Sequence, residues 1–147
     1  MKIQTKYFGE IEIEEGMIIE FPEGVLGFPN SSSFVMLDMP DNPSFKFLQD
    51  VHNSYVSFLT VSPWDFFKDY EMDINDEELA AIGIAEDKDK EFSAHLIVTL
   101  GKTFEQSTAN LLAPIMINIT DKLGKQFILE GHDYGTKHKL LPEGSGE

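Results

Sequence analysis

The chain has 147 residues, with 26 Asp plus Glu against 11 basic residues, every one a Lys, for a net charge of −15. That length fits one domain with a real core, and the hydrophobic fraction of 41% is ordinary for a globular protein. The acidic balance repels phosphate backbones, and the absence of Arg removes the usual bidentate reader of phosphate and guanine, so direct nucleic-acid binding is not expected.

There is no Cys, which excludes disulfides and thiolate metal sites. No window approaches the roughly 18 apolar residues a membrane span requires. No basic region followed by an apolar run opens the chain, so a cytoplasmic protein is expected. Such a charge suits solubility, and it equally suits steering towards a basic partner.

From the N-terminus, Lys2 to Tyr7 and Glu10 to Glu14 alternate polar and apolar residues, with a turn at Phe8-Gly9 between them. Met17 to Phe21 reads as a third strand, so the opening of the chain predicts a meander. Phe21-Pro22-Glu23-Gly24-Val25-Leu26-Gly27-Phe28-Pro29 carries two Pro and two Gly, which rule out a helix and argue for a rigid loop. It is read either as a loop pinned by Phe21 and Phe28 in the core or as an apolar loop offered to a partner. As a phosphate loop it fails, because it has neither the Lys-Ser/Thr ending nor a following helix signal.

Strands are expected at Phe34 to Asp38, Phe45 to Asp50 and Tyr55 to Val61, separated by Pro/Asp/Asn turns. Trp64 to Tyr70 concentrates aromatics, which fits packing at the core or rim and also fits an interface anchor. Asn75-Asp76-Glu77-Glu78 is the one helix start, since Asn can cap and acids fill the first turn. Ile82 to Ala85 reads as strand, Glu86 to Glu91 as a solvated charged turn, and Phe92 to Leu100 as a strand with Leu96, Val98 and Leu100 on one face.

The longest apolar stretch is Thr108 to Leu129. Within it Asn110-Leu111-Leu112-Ala113-Pro114 is a turn-forming apolar segment. Ile115, Ile117 and Ile119 alternate with Met116 and Asn118 as a strand, and Asp121 to Lys125 makes a hairpin connection with Gly124 available for a left-handed position. The count is about ten strands with one short helix and no βαβ alternation, which predicts a mainly β, single-domain antiparallel barrel or sandwich. The β-rich domain is expected over 1–130, with 131–147 a polar, mobile tail.

Signals for chemistry are weak. His52, His95, His132 and His138 show no metal-binding spacing on one element, no Ser sits in a Gly-x-Ser-x-Gly elbow, and the acid pairs lie in exposed positions. No catalytic residue, cofactor or metal is expected. The rival to a protein-binding module is an enzyme or a small-ligand-binding β-barrel that uses its mouth.

Short motifs along the chain carry a resemblance. They are Thr5 to Ile11, Phe21 to Phe28, Phe47-Leu48-Gln49-Asp50, Pro63, Asp69-Tyr70, Thr108 to Ile115, Asn118 and Gln126. In this order and spacing the sequence resembles the flagellar assembly factor FliW family. The resemblance implies a small β-barrel-like fold and two alternative protein partners: flagellin, and the RNA-binding translational repressor CsrA. It further implies that a FliW-like protein occupied by flagellin leaves CsrA free to repress flagellin translation, and that once flagellin is secreted that protein captures CsrA and translation resumes. The candidate apolar contact areas are Gly24, Val25, Leu26, Gly27 and Phe28, and Asn110, Leu111, Leu112, Ala113 and Pro114.

Overall fold

The computed structural model describes residues 1–25, 27–83 and 90–141. In chain order the strands are β1 (Lys2–Gln4), β2 (Glu10–Glu12), β3 (Ile19–Glu20), β4 (Ser33–Asp38), β5 (Phe45–Asp50) and β6 (Ser57–Val61), followed by helices α1 (Pro63–Phe66) and α2 (Asp76–Ala80). Then come β7 (Phe92–Thr99), β8 (Thr108–Ala109), β9 (Ile115–Asn118), β10 (Leu123–Gln126) and β11 (His138–Lys139).

The strands β7-β6-β5-β4-β3-β10-β9 run in that order, and β9 pairs back onto β7, closing a seven-stranded barrel. Closure leaves no exposed ladder between these strands, which is how a small β-protein removes its sticky edges. Every pairing is antiparallel except β3 with β10, which is parallel through Leu123 and Glu20. β8 and β11 extend the sheet sideways from β7.

Alternation along the strands sorts residues into two cores. Phe34 and Met36 of β4, Leu48 of β5, Phe58 of β6, Ile97 of β7, Ile115 and Ile117 of β9 and Ile19 of β3 pack together inside the barrel. The opposite face of the same strands is also covered. Phe45, Phe47, Leu59, Val61, Leu96 and Val98 pack under α1, Tyr70, Leu111, Leu129 and Leu140. Ile3 and Ile13, from the N-terminal hairpin, cover Val35 and Val51. β9 is buried at all four positions, its Met116 packing with Ile82 and Phe127 on the face turned away from Ile115 and Ile117.

Several local expectations change. β1 and β2 form a separate two-stranded sheet, and a 3-10 turn at Glu15–Met17 breaks the chain before β3, which enters the barrel between β4 and β10. The opening is therefore a hairpin plus a barrel strand, and the expected meander is absent. Two helices form where one was expected: α1 starts with Pro63 in its first turn, where the missing N–H costs nothing. α2 sits where Asn75 predicts it, with the Asn75 side chain accepting the Glu78 N–H at 2.8 Å.

Residues 81–83 are a turn and not a strand, and Ile84 and Ala85 lie outside the described residues together with 86–89. Leu100 is 61% exposed, past the end of β7, so it does not share the buried face of Leu96 and Val98. In the β9–β10 turn the left-handed position is taken by Lys122 (φ 56°). Gly124 serves a different purpose: a Cβ there would lie 2.4 Å from the Phe21 ring.

The segment after residue 130, expected as a mobile tail, packs as far as residue 141. β11 pairs with β8, Leu140 is buried in the outer core, and Tyr134 lies against Tyr70 at 4.8 Å. Residues 142–147 lie outside the described residues.

Candidate functional site

The two candidate contact segments are linked through Gln126 of β10. Gly24 and Gly27 both take positive φ, at 71° and 88°. At Gly24 a Cβ would sit 2.8 Å from the Pro29 Cα, so only Gly fits. Phe28 donates its N–H to the Val25 carbonyl at 2.7 Å, which ties the loop into a tight turn. Val25 is buried in the barrel core, whereas Phe28, expected in the core, is 42% exposed and rests edge-on against Phe58 at 5.2 Å. Phe21, the other expected anchor, is buried. Leu26 lies outside the described residues.

Asn110 to Pro114 forms a corner that is largely internal. The Asn110 side chain accepts the Ala113 N–H at 3.0 Å, an Asx-type turn. Leu111 and Leu112 both donate to the Gly135 carbonyl, and Leu129 donates to the Leu112 carbonyl. The Tyr70 hydroxyl donates to the Leu111 carbonyl at 2.7 Å, and burial, with Tyr134 alongside, holds that phenol's pKa well above its usual range. Leu111, Ala113 and Pro114 are buried; Asn110 and Leu112 are half-buried and carry the accessible surface of this segment.

Gln126 joins the two segments. Its amide donates to the Ala113 carbonyl at 2.9 Å, and its side chain lines a shallow groove of about 330 Å³ with Glu23, Gly24, Val25, Gly27, Pro29 and Lys125. The rim carries a Lys125–Glu23 ion pair at 3.0 Å.

The opposite mouth of the barrel is open. A cavity of about 360 Å³ is lined by Met17, Ile19, Met36, Ile117 and Ile119, with Asp38, Lys46, Ser93, His95 and Lys122 as its polar groups. His95 is buried, and its Nε2 lies 2.7 Å from the Ser93 hydroxyl. Burial, reinforced by the charge of Lys46, lowers its pKa to about 4, so the ring is neutral at pH 7. Its period-two placement in an apolar strand was visible in the sequence. Its position at a cavity was not, because that depends on Lys46, Asp38 and Lys122 arriving from other strands.

One further cluster joins distant residues: Glu71, Asp73 and His132 bring one potential ligand atom each within 4.8 Å of one another. Among the described residues this is the cluster that could touch a metal ion. The direct contact from His132 Nε2 to Asp73 at 2.7 Å, and the stacking of His132 on Tyr134, account for their approach as a clasp between 71–73 and 132–134.

Comparison with known proteins agrees along nearly the whole chain. A family profile described as FliW protein matches residues 2–140. A flagellar assembly factor FliW from Geobacillus thermodenitrificans (strain NG80-2) is 42% identical over 143 residues, covering 97% of each chain. One from Bacillus subtilis (strain 168) is 39% identical over 140 residues, covering 95% of this chain and 96% of its own. A crystal structure of the flagellar assembly factor FliW superposes with a TM-score of 0.90 at 40% identity, covering 98% of this chain and 99% of that one. The chain belongs to the FliW family of flagellar assembly factors.

Proposed function

We propose that this chain acts in the cytoplasm as a protein-capture module with two alternative partners, flagellin and the RNA-binding translational repressor CsrA. Occupation by flagellin leaves CsrA free to repress flagellin translation, and release of flagellin lets the module withdraw CsrA. Family membership over nearly the full length supports the partners. The observation that carries the mechanism is the charge. A protein that binds RNA presents cationic surface, and a partner at −15 docked beside that surface repels incoming phosphates.

The negative charge is concentrated as well as large. The stretch 65–78 exposes Asp65, Asp69, Glu71, Asp73, Asp76, Glu77 and Glu78 and contains Lys68 as its single base. Trp64, 48% exposed, stands at its start and supplies an aromatic anchor beside the acids. The apolar contact is offered by Phe28 with the Gly24–Gly27 loop and by Leu112. Together these make a binding role with no reaction of its own.

The test is a titration of CsrA at low and raised salt, with and without excess flagellin. Binding that weakens as salt rises, and is lost to flagellin, is expected. An affinity that ignores salt removes electrostatics as the main term, and failure to bind either protein at micromolar levels overturns the reading.

A further inference from the structure

The open mouth of the barrel is lined by none of the residues assigned above to partner capture. Its cavity of about 360 Å³ falls in the size range of small-molecule sites. Its wall is apolar and includes Met17 and Met36, whose unbranched side chains re-pack readily around a guest. Its polar groups converge from four separate parts of the chain: Asp38 from β4, Lys46 from β5, Ser93 and His95 from β7, and Lys122 from the β9–β10 turn.

Those groups select a ligand by charge and by hydrogen bonding. Two ammonium groups face one carboxylate, because His95 is neutral; the site is locally positive in a chain of net charge −15. Lys46 pairs with Asp38 at 2.5 Å, and its ammonium retains further donors. Lys122 makes no ion pair among the described residues. The imidazole is more than nine-tenths buried, and Ser93 engages only its Nε2. Either tautomer satisfies the contact with Ser93, and the one in which the serine hydroxyl donates to Nε2 leaves the proton on Nδ1, the form that an anion in the cavity selects. A buried donor of this kind favours an anionic acceptor over none. Cations are repelled by the two Lys. Polyphosphates are disfavoured by the apolar wall and the absence of Arg.

We propose that the barrel mouth binds a small apolar monocarboxylate, its chain packed among Met17, Ile19, Met36 and Ile117 and its carboxylate held between Lys46, Lys122 and His95. Lys122 sits in the turn beside β3, so a bound carboxylate also bridges the one parallel seam of the barrel.

The experiment is calorimetric titration of the full chain with octanoate, with octanol and octylamine as probes of the same length, read alongside the histidine resonances by NMR. Octanoate is expected to bind and to shift His95, with octanol weaker by about tenfold or more, the worth of one charge-assisted contact, and octylamine silent. Lys122→Glu, at a half-buried turn position, is expected to cut octanoate affinity by a similar factor while leaving octanol unchanged. Equal binding of octanoate and octanol by the unaltered protein means an apolar hole without a carboxylate site, and overturns the proposal. So does octanoate binding that leaves the His95 resonance unmoved, or no octanoate binding at millimolar concentration.

Discussion

The two ends of the barrel are made by the same strands and closed in opposite ways. At one end Phe21, Phe34, Phe58 and Val25 fill the interior, and Gly124 is kept bare so that the Phe21 ring can lie against the backbone. At the other end β7 turns Ser93 and His95 inward, the Lys46–Asp38 pair stands at the rim, and a cavity remains. Aromatic rings can seal a narrow mouth because each buries a large area with few rotatable bonds. Polar groups cannot be packed dry without partners, so the end that carries them stays open. The sealed end holds the fold, and the open end is free to hold something else.

The largest test of that contrast is Phe34→Ala at the sealed end. Phe34 is fully buried, and its loss should cost about 3–5 kcal/mol in a denaturant titration. A cost below about 1 kcal/mol would mean that this end is not where the stability resides.

The open end should show itself through pH. The His95 pKa is lowered from 6.5 to about 4 by burial and by Lys46, with Lys122 and Asp38 also lining the cavity. In that window the unfolded chain binds a proton at this position and the folded chain does not. This contribution is therefore complete above pH 6.5 and is lost as pH falls towards about 4, by about 3 kcal/mol in all. His95→Gln should remove about that much of the total loss of unfolding free energy between pH 6.5 and about 4. An unchanged slope would place the acid sensitivity elsewhere. One such place is Asp121, whose carboxyl is lowered mainly by its hydrogen bond from Lys90 and loses its contribution at lower pH.

Gly24→Ala probes the loop that covers the sealed end. Its φ of +71° and the approach of Pro29 predict a cost of about 1–3 kcal/mol, with weaker flagellin or CsrA capture if the loop is a contact surface. Lys125→Ala on the groove beside it removes the rim ion pair to Glu23 and the contact of its ammonium with the Phe127 ring, and stability in a denaturant titration should fall by about 1 kcal/mol or less. Any larger change in partner binding would mark the groove as part of the interface.

Much of this was legible in the residues. β5 spans Phe45–Asp50 between the turns that the Pro, Asp and Asn residues on either side predict, and α2 begins where Asn75 can cap it, because both signals are local. In the loop of two Gly and two Pro, both Gly take the positive φ that their lack of a side chain permits. The Asn110–Pro114 segment was readable as a turn but not as a buried corner. Its cover is Tyr70 and the Gly135 carbonyl, which come from far along the chain in both directions. The same holds for 131–141: polar residues read as a tail, yet Tyr134 and Leu140 are enough to dock it. A single apolar residue in a polar stretch carries little pattern, and its partner decides its fate.

Taken alone, the order of residues settles a β-rich chain, its principal strands, its acidic surface and its family resemblance, since alternation, turn chemistry and charge are properties of neighbours. Closure of the barrel, the parallel seam between β3 and β10 and the meeting of Lys46, His95 and Lys122 at one mouth come only with the folded molecule. They require strands distant in sequence to choose one another, and that choice is made by which side chains fill the space between them.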